Sequence, residues 1–206
     1  MSEIALPYGI MLAVSASFGP STEAQPGLQA AVYSTAGIMA RTARFDAAKL
    51  NKWQVVSSRF RTQTSIGGGQ SGRSRQWQTL VDQARSVPAA SRIEWVNRKL
   101  NKVRYRSDAS NWGASDHWAT PIEFIERGGD CEDYAIAKYR ILRELGVSAS
   151  DMQIAITRDH AVLIVDTAGG PVVLDNLRRK PYGLKAKTVR HILFTFNDRD
   201  WTLNLG

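Results

Sequence analysis

The sequence predicts an α+β protein in which a group of helices is followed by an antiparallel β-sheet. Apolar residues recur at helical spacing up to about residue 145, whereas short apolar runs separated by turn residues follow from Met152 onward. Because helical and strand segments are grouped rather than alternating, a doubly wound parallel sheet is excluded.

Length and composition limit the choice of fold and partners. The 206 residues, 43% hydrophobic and 22% charged, suit one globular domain. We expect a leader over residues 1–30, in which residues 10–18 resemble a signal-peptide core without its basic start, and a single domain over residues 31–206. No apolar run reaches the roughly 18 residues of a membrane-spanning helix. A net charge of +8 suits anionic partners, but no RNP motif, zinc finger or arginine tract supports nucleic-acid binding.

The first segments of the domain are predicted from helix formers and glycines. Residues 30–48 are rich in helix-forming residues, and residues 53–60 (WQVVSSRF) have the character of a strand. A glycine-rich loop at residues 62–73 lacks the Gly-Lys-Ser/Thr of a phosphate-binding loop. The next helix carries an apolar stripe from Trp77 to Ala84 and ends before Pro88.

Three further helices begin at recognisable caps. Ser-x-x-Glu at residues 91–94 and Thr-Pro-Ile-Glu at residues 120–123 both match a capping box, the second with proline at the first helical position. The third helix runs from residue 130 or 131 to residue 145, and Lys138 is expected on its solvated side.

The sheet is predicted from runs of β-branched and apolar residues. The second and third strands are joined by a segment of hairpin-turn composition at residues 167–170. The strands are expected at residues 152–157, 161–166, 172–176, 191–196 and, as a last strand, 201–203.

The single cysteine lies in a context that suits chemistry. Cys131 follows two glycines and opens a helix, in the segment GGDCEDY at residues 128–134. One cysteine excludes an internal disulfide and a cysteine-only metal site. A helix N-terminus and a nearby imidazolium lower a thiol pKa, which favours a nucleophile, whereas adjacent carboxylates raise it. We expect backbone N–H groups at the helix start to hold an oxyanion.

Two further residues complete a candidate triad. His160 begins an apolar strand and Asp175 ends the next one, so a tight turn can bring the two side chains together. In the order Cys, His, Asp they match a nucleophile, a general base and an orienting acid. Asn176 is an alternative orienting residue. Taken singly, His160 also suits a core histidine and Asp175 a turn residue, whereas His117 suits a cleft wall or a local hydrogen bond.

The carboxylates beside the cysteine have two interpretations. Asp130, Glu132 and Asp133 offer hard oxygen ligands around a tight turn, which suits Ca²⁺. They are also ordinary residues for a helix N-terminus. Because the chain has no EF-hand loop, the residues alone favour capping.

A longer segment carries a resemblance to a known family. Residues 118–139 (WATPIEFIERGGDCEDYAIAKY), with residues 159–163 (DHAVL) and 173–176 (VLDN), resemble the bacterial transglutaminase-like cysteine proteinases, and within them the LapG-type members. The resemblance runs from about residue 91 to about residue 177 and on toward residue 206. It implies a papain-like, transglutaminase-like core in which the nucleophile helix packs on the antiparallel sheet. It also implies a cysteine endopeptidase that uses the Cys-His-Asp set.

The resemblance extends to cofactor, substrate and regulation. Family members need calcium bound by acidic residues beside the cysteine, here Asp130, Glu132 and Asp133, so the resemblance reverses the preference for plain capping. It implies a periplasmic enzyme that cuts a large surface adhesin near its N-terminus at a pair of alanines and so releases biofilm cells. It further implies inhibition by an inner-membrane receptor that responds to cyclic di-GMP. Two other functions stay open on the residues: an amine acyltransferase with the same triad, and a non-catalytic binding module.

Overall fold

Helices come first along the chain and strands second, as the sequence predicts. The structure is a computed structural model and describes residues 39–65 and 72–203. The predicted leader at residues 1–30 and residues 66–71 of the predicted glycine-rich loop lie outside the described residues. The helices of the described part are α1 (Met39–Thr64), α2 (Gly72–Arg85), α3 (Arg92–Leu100), α4 (Asp108–Trp112), α5 (Pro121–Arg127), α6 (Cys131–Glu144) and α7 (Ala186–Val189).

The segment predicted as a strand at residues 53–60 belongs to α1, so that prediction is wrong. Trp53, Val56 and Phe60 are all buried, whereas Val55 is exposed. Their spacing places an apolar stripe on one helix face. Trp53 packs edge-on against Tyr139 of α6, with 5.4 Å between the ring centroids. Burial of this stripe outweighs the strand preference of the valines.

The two predicted capping boxes have different outcomes. At α5 the Thr120 hydroxyl accepts from the Glu123 N–H, and the Glu123 carboxylate accepts from the Thr120 N–H at 2.8 Å, which confirms that box. At α3, Ser91 makes no capping hydrogen bond, so the prediction of a capping box there is wrong. Ser91 already has helical backbone angles because a 3-10 turn, Ala89–Ser91, leads into α3, whereas a capping residue needs an extended backbone.

The strands form one antiparallel sheet. Within the described residues they are β1 (Met152–Thr157), β2 (Ala161–Val165), β3 (Val172–Leu174), β4 (Tyr182–Gly183), β5 (Ile192–Phe196) and β6 (Trp201–Leu203). Their order across the sheet is β4-β3-β2-β1-β5-β6. Leu163 of β2 lies opposite Leu174 of β3, and the turn between these strands closes with a 2.9 Å bond from the Gly170 N–H to the Thr167 carbonyl. The predicted hairpin is therefore confirmed, whereas β4 was not predicted.

Helix α6 packs on β2, and this contact places its first residue at the end of the sheet. Ile141 and Leu142 of α6 share one core cluster with Leu163 and Leu174 of the sheet. A smaller apolar cluster forms on the opposite face from the alternate strand positions, which include Val162. The α+β fold with a helix packed on an antiparallel sheet is thus confirmed. Among the described residues, no helix combines the length and the apolar run that crossing a bilayer takes.

Candidate active site

Two glycines shape the turn that precedes α6. Gly128 has φ +83, and a Cβ added there would lie 2.2 Å from the Arg104 carbonyl oxygen. A Cβ added at Gly129 would lie 2.1 Å from Asp133 Oδ2. The Gly129 carbonyl also accepts from the Arg106 N–H at 2.9 Å, which ties the turn to the preceding loop. Only glycine fits both positions, so the local sequence fixes how the next residues are presented.

Cys131 is the first residue of α6 and is partly buried. Its thiol donates to Glu132 Oε2 at 2.9 Å. Burial and then the Glu132 carboxylate raise the pKa of the thiol, while the Ala161 N–H at the start of β2 acts in the opposite direction. Of the two opposing influences expected from the sequence, burial and negative charge therefore outweigh the helix N-terminus in this arrangement.

His160 and Asp175 lie next to each other, as the sequence predicts. His160 Nε2 is 2.8 Å from Asp175 Oδ1. The His160 carbonyl accepts from the Thr157 N–H at 2.8 Å and from the Thr157 hydroxyl at 2.9 Å, which fixes the turn between β1 and β2. Because Asp175 occupies Nε2, Nδ1 is the ring nitrogen left for proton transfer.

Asp175 is buried and held from several sides. Its Oδ1 accepts from the Leu177 N–H at 2.9 Å, and its Oδ2 accepts from the Tyr182 hydroxyl at 3.3 Å. Burial would raise the pKa of Asp175, but the hydrogen bonds from His160 and the Leu177 N–H outweigh it and hold that pKa below its usual value. Asp175 is therefore ionised and oriented toward the imidazole, whereas Asn176 is not the partner of His160. Nothing in the sequence pattern pointed to Tyr182.

Two asparagines of α3 and its C-terminal end hold the loop after β3, and neither was predicted from the sequence. Asn101 Nδ2 donates to the Asp175 carbonyl at 2.8 Å and to the Arg178 carbonyl at 2.9 Å. Asn97 is completely buried, and its Nδ2 donates to the Arg178 carbonyl at 2.9 Å and to the Arg179 carbonyl at 3.3 Å. An amide within an apolar helical stripe was the available signal, because buried polar groups need partners.

An acidic cluster, formed by Asp108, Asp130 and Asp133, lies beside the cysteine. One carboxylate oxygen from each residue lies within 4.8 Å of the others. Asp133 is fully buried and accepts from the Ala119 N–H at 2.7 Å and from the Asp130 N–H at 3.2 Å. Asp108, at the start of α4, accepts from the His117 N–H. The sequence missed Asp108 because its place in the cluster is set by tertiary structure and not by local spacing.

The electrostatics of the acidic cluster favour a bound cation. Burial, followed by the charge of Glu132, raises the pKa of Asp130 to about 7. Burial also raises the pKa of Asp133 to about 8, although the Ala119 N–H opposes it. Oδ1 of Asp108 and Oδ1 of Asp130 are buried and have no hydrogen-bond partner within the described part of the chain. Buried carboxylate oxygens without donors are the groups that a hard cation binds.

Glu132, which the sequence grouped with Asp130 and Asp133, also contacts the thiol and a lysine. Its Oε2 accepts from the Cys131 thiol, and its Oε1 lies 3.5 Å from Lys49 Nζ. Glu132, Asp130 and Cys131 nevertheless form a second group whose ligand atoms lie within 4.8 Å of one another. Asp130 therefore links the acidic cluster to the thiol.

The other two histidines, both among the described residues, have different surroundings. The His117 ring stacks on Trp112 with 4.3 Å between centroids, and burial lowers its pKa. The His117 backbone N–H donates to the Asp108 carboxylate, so His117 makes a local hydrogen bond. His191 is exposed.

Lys138 lies inside the protein, so its predicted solvent exposure is wrong. Its side chain is completely buried, and Nζ has no hydrogen-bond partner among the described residues. Burial lowers the pKa of Lys138 to about 7, and the charge of Asp175 acts in the opposite direction. Lys138 lies on the same helix as Cys131, and its protonated form acts electrostatically on Asp175.

Comparison with known proteins connects this geometry to a family. The sequence profile of the bacterial transglutaminase-like cysteine proteinases (BTLCP) matches residues 70–193, more than half of the chain. The chain belongs to this family. No curated protein matches the sequence of this proteinase.

Comparison with solved structures also finds members of this kind of proteinase. The proteinase is similar to calcium-bound LapG of Legionella pneumophila, with 28% identity, a TM-score of 0.52, and coverage of 73% of this chain and 86% of that one. EGTA-treated LapG of the same organism gives 31% identity and a TM-score of 0.53, covering 72% of this chain and 84% of that one. The protein is thus a cysteine proteinase with a transglutaminase-like α+β fold.

Proposed function

We propose that this proteinase is a calcium-dependent endopeptidase with Cys131 as nucleophile, His160 as general base and Asp175 as orienting residue, within one domain at residues 31–206. The observation that carries the proposal is the 2.8 Å contact between His160 Nε2 and Asp175 Oδ1. His160 directly precedes Ala161, the first residue of β2, whose N–H faces the Cys131 sulfur. An imidazole held by a carboxylate, on the residue before the one whose N–H faces the thiol, supplies the base and the orienting acid that acyl transfer requires.

The three residues divide the reaction between them. His160 takes the thiol proton through Nδ1 as the Cys131 sulfur attacks the peptide carbonyl carbon, and then gives that proton to the leaving amine. Asp175 holds the imidazole in place and stabilises its charged form. His160 next deprotonates a water molecule that hydrolyses the thioester. Backbone N–H groups at the start of α6, including that of Cys131, hold the oxyanion.

Calcium is the metal we assign to the acidic cluster, with Asp108, Asp130 and Asp133 as ligands and Glu132 beside them. The partnerless buried oxygens of Asp108 and Asp130 support this assignment. The similar LapG of Legionella pneumophila also supports it, because its structures include a calcium-bound and an EGTA-treated form. Bound calcium supplies positive charge that offsets the carboxylates around the Cys131 thiol.

The family resemblance supplies the biological setting of the proposal. The substrate is a large surface adhesin, cut near its N-terminus at a pair of alanines in the periplasm, which releases biofilm cells. An inner-membrane receptor that responds to cyclic di-GMP inhibits the enzyme. Membership of a cysteine proteinase family supports a protein substrate.

The triad is tested by substitution. We expect Cys131→Ala and His160→Ala each to lower cleavage of an N-terminal adhesin fragment by at least about a thousandfold, because each removes a group that takes part in bond making or proton transfer. His191→Ala is the matched control, since His191 is exposed and outside the site. Mass spectrometry of the products gives both the rate and the position of the cut. Retention of cleavage in Cys131→Ala would overturn the proposal.

The acceptor of the acyl group needs a separate measurement. The same fragment is incubated with and without an added primary amine. Hydrolysis predicts two cleaved products in both cases, whereas an acyltransferase incorporates the amine. Amine incorporation without cleavage would replace the endopeptidase by the acyltransferase alternative.

A further inference from the structure

A groove of about 670 Å³ is lined in part by the two residues that follow Asp175 in the chain. We call it the basic groove; its lining residues are Arg98, Asn101, Lys102, Asn176, Leu177 and Arg179. Asn176 and Leu177 follow Asp175 in the chain, and Asn101 donates to the Asp175 carbonyl at 2.8 Å. The groove is therefore continuous with the segment that carries the orienting residue of the site.

All charged residues that line the basic groove are cations. Arg98, Lys102 and Arg179 are exposed, and among the described residues none of the three forms an ion pair or a side-chain hydrogen bond. By contrast, Arg140 pairs with Asp198 at 2.9 Å, and Arg59 pairs with Glu123. The cations of the groove thus have unused capacity to bind negative charge.

The positive charge of the basic groove continues along α3. A second groove of about 370 Å³ shares Arg98 and Lys102 with the first and adds Lys99 and Trp95, and no acidic residue lines it. Lys99 Nζ lies 5.8 Å from the centroid of the Trp95 ring. The two grooves together form a continuous basic band with apolar contacts, at Leu177 in one and Trp95 in the other.

We propose that the basic groove binds an acidic segment of the protein substrate on the Asp175 side of the cleavage site. The proposal rests on the proposed endopeptidase function and adds a substrate class to it. An extended peptide advances about 3.3 Å per residue, so residues a few positions from the scissile bond reach beyond the catalytic groups. Several unpaired cations on one concave surface steer and orient an acidic chain, although each exposed pair is weak by itself. Leu177, 72% exposed, offers an apolar contact between the charges.

A groove elsewhere in the protein provides a matched control. It has a volume of about 410 Å³, and Arg61 and Arg199 line it together with Asp198 and Asp200. Its charge is mixed, so it has no preference for an acidic peptide. Arg61→Glu/Arg199→Glu changes the net charge of the protein by the same amount as Arg98→Glu/Arg179→Glu.

The test measures binding in a chain that cannot cleave. Fluorescein-labelled oligo-glutamate is titrated with full-length Cys131→Ala and followed by fluorescence anisotropy at low and at high salt. We expect Arg98→Glu/Arg179→Glu to weaken binding by about tenfold or more and to reduce its salt dependence. The control pair should change binding by less than about twofold. Melting temperatures check that both variants fold, and Arg98→Gln/Arg179→Gln replaces the first variant if it does not.

Each outcome decides the proposal. Equal weakening by both pairs, or no binding of the peptide, would overturn it. The same three proteins are titrated with phosphatidylglycerol vesicles and with single-stranded DNA, and a larger loss with either of these than with the peptide would replace the acidic segment by a membrane or a nucleic acid. The binding assay needs no catalysis, so a failure of the peptide to bind leaves the proposed endopeptidase function untouched. If the peptide binds but the unaltered enzyme cleaves no adhesin fragment, the endopeptidase function is contradicted and the groove proposal is not.

Discussion

Lys138 shows how a single side chain links the core to the site. It is completely buried on α6, the helix that begins with Cys131, and the charge of Asp175 acts on it. The sequence carried a signal for this position, because Lys138 lies four residues from both Tyr134 and Leu142, which are buried. The general preference of lysine for solvent outweighed that spacing, so residue type alone gave the wrong prediction.

Lys138 should make the stability of the protein depend on pH. Its pKa is lowered from 10.5 to about 7 in the folded protein, so between these values the unfolded chain binds a proton that the folded protein does not. The free energy of unfolding therefore rises with pH through this range and loses that contribution as pH falls toward 7. Lys138→Met removes the penalty, and the stability advantage of this variant over the wild type should shrink by roughly 4 kcal/mol between about pH 6 and about pH 10.

Urea unfolding of both proteins at several pH values measures this effect. Lys187→Met is the control, because Lys187 is exposed and its substitution should leave the pH dependence unchanged. A constant difference between Lys138→Met and the wild type across the pH range would show that Lys138 is not the group that titrates.

At the scale of elements, α3 with its C-terminal end sets the position of Asp175. Asn97 and Asn101 hold the carbonyl groups of residues 175, 178 and 179, so the loop after β3 is attached to a helix that precedes it by many residues. The sequence predicted helix α3 and strand β3 but not the hydrogen bonds that join α3 to the loop after β3. Local patterns specify elements, whereas a bond between side chain and loop depends on how the elements pack.

Asn97→Ala should separate positioning from substrate binding. Asn97 does not line the basic groove, and its loss removes the donor to the Arg179 carbonyl and leaves the Arg178 carbonyl with Asn101 alone. We expect the free energy of unfolding to fall by about 1–3 kcal/mol and kcat to fall with little change in KM, because Asp175 loses part of its support.

Glu94→Ala on the same helix is the matched control for Asn97→Ala. Glu94 is exposed and should tolerate the change within about 0.5 kcal/mol. Steady-state kinetics on the adhesin fragment, together with urea unfolding, check both variants. A stability loss with unchanged kcat would show that the loop keeps Asp175 in place without α3.

At the scale of the whole molecule, the sequence predicted the order and type of most elements correctly. Helices precede an antiparallel sheet, and α6 begins at Cys131 as expected. The errors have physical causes: α1 contains adjacent valines that favour a strand locally, and β4 is only two residues long. The acidic cluster was predicted where its residues share a motif, as with Asp130 and Asp133, and was missed where a distant segment contributes, as with Asp108.

Calcium should stabilise the whole protein, because the acidic cluster joins α4 to the start of α6. An ion bound by Asp108, Asp130 and Asp133 links distant segments in the folded state only, and at a hundredfold excess over its Kd it adds about 2.7 kcal/mol. We therefore expect calcium to raise the melting temperature and a strong chelator to reverse the rise and abolish cleavage. Asp108→Asn should lose most of the calcium-dependent shift yet melt cooperatively in chelator.

Asp116→Asn is the control for this calcium effect. Burial would raise the pKa of Asp116, but Lys52 and Lys49 hold it below its usual value, with Lys49 Nζ 3.0 Å from its carboxylate, so its charge is already balanced. Asp116→Asn should keep the full calcium-dependent rise in melting temperature. If Asp108→Asn also kept it, the ion would bind outside the acidic cluster, and full cleavage in excess chelator would remove calcium from the mechanism. The two variants thus separate a specific site from the general effect of removing one negative charge near Cys131.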